Sequence, residues 1–177
     1  MSAPSMKEIY LHPCDLWFGA GKIRLRTVLG SCVAVTLWHP GLAIGGMCHF
    51  MVSQLQKGVT GKPDGCYADR AMALLQAKIC RAGLLPEDFE AKLFGAGNMF
   101  TENNFTPESL SFKVQDHNIS AGRELTKKYG HRVVAEHLGG DGHRQLIFDI
   151  TTGLVWLRQA PINDGKQFVY AVTEQAS

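Results

Sequence analysis

Paired metal-ligand spacing is missing from this chain. It has no Cys-x-x-Cys and no His-x-x-x-His. Closed zinc sites usually carry such pairs, so no structural metal centre is expected. Runs of basic residues are missing too. The 18 Lys and Arg are scattered against 16 Asp and Glu, for a net charge of +2. Neither nucleic acid nor an anionic membrane is an expected partner. No apolar stretch approaches the about 20 residues a bilayer span needs. The opening segment MSAPSMKEIYLHP lacks the apolar core of a signal peptide, and a cytoplasmic location is expected. Five cysteines are an odd number, and without an export signal a disulfide framework is not expected. Internal repeats and low-complexity segments are absent.

Core material is plentiful. Of 177 residues, 45% are hydrophobic and 19% charged. That suffices for one domain over residues 1–177, with 1–8 as a tail and 168–177 as a tail or an edge strand. Ile9–Leu11 and Ile23–Val28 read as short strands around a Gly19-Ala20-Gly21 turn. Val33–Trp38 and Ile44–Val52 read as a hairpin, and Ser53–Gly65 as a loop. Tyr67–Arg81 has helical spacing, with Asp64 as a candidate cap and Gly83 as its stop. Lys92–Phe94 is a strand candidate before Gly95-Ala96-Gly97. Asn118–Tyr129 reads as a second helix capped by Asn118 or Ser120. Val133–Leu138, Gln145–Ile150 and Leu154–Arg158, joined by tight turns, suggest an antiparallel meander. The expected class is a layered α/β fold, with a mainly antiparallel sheet packed by two main helices.

The chemistry concentrates in Leu29-Gly30-Ser31-Cys32, followed by an apolar run and then Cys48-His49. A thiol becomes a strong nucleophile when a neighbouring base takes its proton. With Pro40-Gly41 at the hairpin tip, Cys32 is expected directly opposite His49, on one face of the sheet. A one-residue slip would send His49 to the other face, and Gly45-Gly46 is a place where a bulge could do that. Gly30 permits close approach of backbone and substrate, and the N–H groups around Gly30 and Ser31 suit an oxyanion. Thr27 is the candidate acceptor that orients the imidazole. Cys14, Cys48, Cys66 and Cys80 read as structural. Gly95-Ala96-Gly97 lacks the Lys-Ser/Thr ending of a phosphate loop and reads as a tight turn lining the site. Glu136 and Asp149 read as solvated strand charges.

With Thr27, Leu29-Gly30-Ser31-Cys32-Val33 and His49 in view, the chain resembles the CheD family of chemoreceptor glutamine deamidases. Further blocks carry the same resemblance. They are Gly65-Cys66-Tyr67-Ala68-Asp69-Arg70-Ala71-Met72, Lys92-Leu93-Phe94-Gly95-Ala96-Gly97-Asn98-Met99-Phe100, Phe148-Asp149, Thr152-Gly153 and Val155-Trp156. Ile119-Ser120-Ala121-Gly122-Arg123-Glu124 departs from the family's Ile-Gly-x-Arg-Asn, and some members place the threonine where this chain has Arg26. The resemblance implies an α/β layered fold and a cysteine hydrolase. Its triad would be Cys32, His49 and Thr27, with no metal or organic cofactor. The substrate it implies is a glutamine on the cytoplasmic helical bundle of a chemoreceptor, converted through a thioester. The alternative it implies is a regulatory binding partner of a CheC-type phosphatase.

Overall fold

A computed structural model of the chain describes residues 5–54, 61–99, 110–160 and 168–172. Ten strands are β1 (Lys7–Tyr10), β2 (Leu16–Ala20), β3 (Ile23–Leu29), β4 (Val33–His39), β5 (Ile44–Phe50), β6 (Glu90–Gly95), β7 (Arg132–Leu138), β8 (His143–Asp149), β9 (Val155–Ala160) and β10 (Phe168–Val172). The α-helices are α1 (Ala68–Arg81) and α2 (Leu110–Lys128). One five-stranded sheet runs β1-β3-β8-β9-β10 and the other β2-β5-β4-β6-β7. The fold is layered α/β, and most strand pairs are antiparallel. Among the described strands, only β1 with β3 and β6 with β7 pair in parallel.

Strand alternation explains the layers. Along β4, Val33, Val35 and Leu37 pack with Cys48, Phe50, Leu93 and the α1 residues Ala71, Met72, Leu75 and Ile79. Ala34, one step away, packs with Met47 and Phe94 against Leu25, Leu29, Leu146, Phe148 and Leu157 of the other sheet. Residues one apart on a strand point to opposite faces, so β4 and β5 serve two cores. Both faces are buried, which is why their sequences read as nearly continuous apolar runs.

Several expectations need correction. Residues Val133–Leu138 do not join a C-terminal meander. They form the bulk of β7, which lies parallel to β6 in the helix-covered sheet, while only β8 and β9 make the hairpin. Strand β2 was not foreseen. Trp17 and Phe18 there cover Gly46 of β5, where a Cβ would collide with the Trp17 carbonyl. Helix α2 starts at Leu110, and Asn118 is a buried residue in its middle rather than its cap. The Tyr67 position before α1 has no side-chain cap, and Asp64 instead opens a short 3-10 turn, Asp64–Cys66. Asp149 is not a solvated charge. It is 3% exposed and paired with Arg24 at 3.0 Å. Lys7 and Glu8, read as part of a tail, open β1, and Phe168–Val172 takes the edge-strand alternative as β10.

Candidate active site

The hairpin register differs from the expected one. Ala34, not Cys32, lies opposite His49, and Val33 lies opposite Phe50. The cause is the turn. His39 pairs with Ile44, so the loop is Pro40–Ala43. Its end is set by Ala43 at φ 48°, with the Leu42 and Ala43 N–H groups donating to the His39 carbonyl at 3.3 and 3.1 Å. No bulge occurs at Gly45-Gly46 in this pairing. The displacement is two residues, so the face is preserved. Cys32 sits diagonal to His49 on the inter-sheet face, packed against the Ala34 and Met47 core. Diagonal neighbours have Cα atoms about 7–8 Å apart, within reach of a ring-bearing side chain.

Thr27 completes the arrangement from the opposite sheet. Its hydroxyl donates to the Leu11 carbonyl at 2.7 Å and lies 2.8 Å from His49 Nδ1. A hydroxyl has one hydrogen, and the Leu11 carbonyl can only accept. The hydrogen in the second contact therefore belongs to His49 Nδ1, which donates to Thr27 Oγ1. This fixes the tautomer and leaves the lone pair on Nε2. Among the described residues, Nε2 is buried with no hydrogen-bond partner. The backbone of His49 is held as well. Its N–H donates to the Asp15 carbonyl at 3.0 Å, and its carbonyl accepts from Cys14 at 2.7 Å.

The electrostatics keep the resting site neutral. Burial is the main cause that lowers His49 to about 4, and His12 adds to it. The Asp15 charge and the Leu11 carbonyl oppose it only in part. Burial also raises the Cys32 thiol above its ordinary value. At neutral pH the pair is a thiol and an unprotonated imidazole.

The turn before β4 is clamped from two sides. The Cys32 carbonyl accepts from Ala96 N–H at 2.7 Å, and the Gly30 carbonyl from Gly97 N–H at 2.8 Å. Gly95 stands at φ +117°, and a Cβ there would collide with the Cys32 carbonyl oxygen, so this close approach requires glycine. From α2, Asn118 Nδ2 donates to the Met51 carbonyl at 2.8 Å and the Ser31 carbonyl at 3.4 Å. Gln115 Nε2 donates to the Gly97 carbonyl at 2.7 Å. Sequence reading missed both α2 residues. They are polar at inward positions, so the helical pattern appeared to begin only after them. The reading of Gly95-Ala96-Gly97 as a tight turn lining the site matches this geometry. Asn118 also lines a cleft of about 330 Å³ with Val52, Ser53, Tyr67 and His117.

Cys14 and Cys66 form a disulfide, which corrects the expectation of five reduced cysteines. The Cys66 carbonyl accepts from the N–H groups of Met51 and Val52, just as Cys14 donates to His49. The end of β5 thus brings two distant segments together. Gly65 makes the approach feasible, since a Cβ there would collide with the Cys14 carbonyl. Cys32, Cys48 and Cys80 remain free.

A half-buried thiol, a buried imidazole with an unpartnered nitrogen and an orienting hydroxyl are the groups thiol hydrolases use, and no hydrogen bond joins Cys32 to His49 Nε2 in this structure. A family model described as CheD chemotactic sensory transduction matches residues 51–159. The chain belongs to the CheD family. A protein named probable chemoreceptor glutamine deamidase CheD from Pseudomonas savastanoi pv. phaseolicola is 41% identical, covering 94% of this chain and 96% of its own. Probable chemoreceptor glutamine deamidase CheD 1 of Chromobacterium violaceum is 39% identical, covering 89% and 80%. A probable chemoreceptor glutamine deamidase CheD from Pyrococcus horikoshii is 34% identical, covering 91% and 96%.

Proposed function

We propose that this protein is a cysteine-dependent hydrolase that converts glutamine side chains of chemoreceptors to glutamate, releasing ammonia. The observation that carries the mechanism is the Thr27–His49 contact, which leaves His49 Nε2 unprotonated and unpartnered on the face that holds Cys32. The names of the relatives supply the substrate class.

In this reading Nε2 takes the Cys32 proton as Sγ attacks the amide carbon. The C=O electrons move to oxygen, and backbone N–H groups around Gly30 and Ser31 hold that oxyanion. The imidazolium then gives its proton to the amide nitrogen as the C–N bond breaks, and ammonia leaves. A γ-glutamyl thioester remains. Water adds to it with Nε2 again as base, and the Cys32 sulfur departs as thiolate to recover its proton. The neutral resting pair suits this sequence, because proton transfer and attack occur together. General acid–base help of this kind contributes roughly 10²–10⁴-fold, and an oxyanion donor about 10²–10³-fold. Cys32 supplies the proton that leaves with ammonia, the attacking water replaces it through Nε2, and the scheme uses no metal or organic cofactor.

Receptor glutamines on a cytoplasmic helical bundle would place the protein in the cytoplasm. Among the described residues, no helix is long and apolar enough to cross a membrane. A CheC-type phosphatase as a second partner rests on the family resemblance alone. The test is mass spectrometry of a receptor fragment incubated with wild-type protein and Cys32→Ala. The wild type adds about 1 Da per converted glutamine, and the variant adds none. Equal conversion by the folded variant would sink the proposal.

A further inference from the structure

Arg144 is a buried cation with no carboxylate partner among the described residues. It stands on the inward face of β8, directly opposite Leu29 of β3, and is 1% exposed. Its Nε donates to His137 Nδ1 at 2.8 Å and its Nη2 to the Gly139 carbonyl. Nη1 is buried with no partner among the described residues. Burial lowers the guanidinium to about 10, so it keeps its charge at neutral pH. Both acceptors are formally neutral. Burying a charge on neutral partners is costly. A filler of this corner would do as well without the charge, whereas hydrogen bonds from a cation are about twice as strong as neutral ones.

What those bonds hold leads to Cys32. Arg144 fixes the end of β7 and the Gly139–Gly142 turn. The Gly139 N–H donates to the Gly95 carbonyl at 2.9 Å. Asn98 donates to the Gly140 carbonyl at 2.7 Å, and Gly142 donates back to the Asn98 carbonyl at 2.8 Å. The Gly95–Asn98 segment so gripped is the one whose N–H groups hold the Gly30 and Cys32 carbonyls. Packing leaves no slack, since a Cβ on Gly97 would collide with the Gly142 carbonyl and stand 3.0 Å from Arg144 Nη1.

We infer that Arg144 is a positioning residue for the reaction: through the Gly139–Gly142 and Gly95–Asn98 turns it sets the backbone of Gly30–Cys32 where the oxyanion forms. The inference rests on the deamidase reading and deepens it. Arg144 acts on the backbone side of the site and leaves the Cys32–His49 proton transfer alone. A shift of about 1 Å in such a backbone is enough to cost around 10²-fold in rate.

The test compares wild type, Arg144→Met and Arg144→Lys on a receptor fragment, following ammonia release. Arg144→Met is expected to lose about 10²-fold in kcat with KM unchanged. Arg144→Lys recovers part of that loss, since an ammonium replaces some of the fork. Alkylation of Cys32 by iodoacetamide, against exposed Cys80 in the same chain, stays within about threefold of wild type. A folded Arg144→Met with wild-type kcat overturns the inference. So does a variant in which kcat and Cys32 alkylation fall together, which marks general disruption. If Arg144→Met does not fold, His137→Ala decides. It removes one acceptor at a half-buried position, and kcat must fall at unchanged KM for the inference to survive. Wild-type protein with no Cys32-dependent ammonia release would instead refute the deamidase reading itself.

Discussion

Cys32 directly precedes β4 and Cys48 lies on the neighbouring β5, yet they face opposite sides of the sheet. Cys48 faces α1 among Val35, Phe50 and Met72, fully buried, and burial pushes its thiol up to about 12. Its sulfur lies 4.0 Å from the Met72 sulfur. Cys32 faces the other sheet, is half-buried, and shares its face with His49. The inter-sheet face also holds Thr27 and Arg144, both buried and both hydrogen-bonded to backbone carbonyls. The helix-side core around Cys48 gathers Val33, Val35, Phe50, Leu93 and the α1 side chains Ala71, Met72 and Leu75. A buried thiol is inert or reactive according to whether its face supplies a base, and in the proposed mechanism strand parity makes that difference.

The largest expected effect breaks this comparison if it fails. His49→Ala removes the base from the inter-sheet face, and kcat for ammonia release should fall about 10²–10⁴-fold. Cys48→Ala on the other face should leave kcat unchanged and lower stability through the cavity it opens. A loss of rate with Cys48→Ala equal to that with His49→Ala would erase the distinction between the faces.

A second perturbation separates stability from rate. The Cys14–Cys66 disulfide closes a loop with a sequence separation of 52. Chain-entropy arguments give such a crosslink at most about 4 kcal/mol. Cys14→Ser should lower the denaturant midpoint accordingly, while kcat below the new midpoint stays near wild type. The brace lies beside the end of β5, so a large fall in kcat would show that His49 depends on it for position.

Acid should weaken the inter-sheet face first. His49 is held at about 4 in the fold, against an ordinary 6.5. Between those values the unfolded chain binds the proton and the folded protein does not. Stability from this group is therefore full above about pH 6.5, declines as pH falls, and is lost by about pH 4. The whole effect is at most about 3 kcal/mol. His131 and His137, also lowered chiefly by burial, add in the same direction. Urea unfolding at pH 7, 6, 5 and 4 measures it, and His49→Gln should flatten the curve.

Much of this was legible in the chain because parity is robust. Alternation along Val33–Trp38 and Met47–Met51 gave the shared face of Cys32 and His49, although the pairing partner was wrong by two residues. That error came from turn geometry. Ala43 in a left-handed conformation cannot be read from a Pro-Gly signal two residues earlier. The second sheet was hidden because β7 pairs in parallel with a strand nearly forty residues upstream, whereas short turns suggest local hairpins. Asn118, Gln115 and Arg144 were invisible as site residues, because polar inward positions look like surface until their acceptors are seen. The disulfide needed Cys14 and Cys66 to meet across the end of β5, a contact no local pattern encodes.

The smallest expected loss of rate is the sharpest test of how the inter-sheet face works. Thr27→Val keeps the shape and removes one oxygen. The Leu11 carbonyl loses its donor and His49 Nδ1–H loses its acceptor, two buried groups left unpaired at about 1–3 kcal/mol each if nothing relaxes. Water entering beside them would soften that cost. The catalytic consequence is different in kind. Without Thr27 the proton is free to move from Nδ1 to Nε2, and every molecule in that tautomer lacks a base toward Cys32. The expected loss in kcat is about tenfold, and Thr27→Ser, which keeps the oxygen, should restore most of it. Nitrogen NMR of the His49 ring reads the cause directly. The wild type should show Nδ1 protonated at pH 7, and Thr27→Val a mixture. A wild-type ring protonated on Nε2 would contradict the orienting role of Thr27 and leave the thiol faces distinguished by exposure alone.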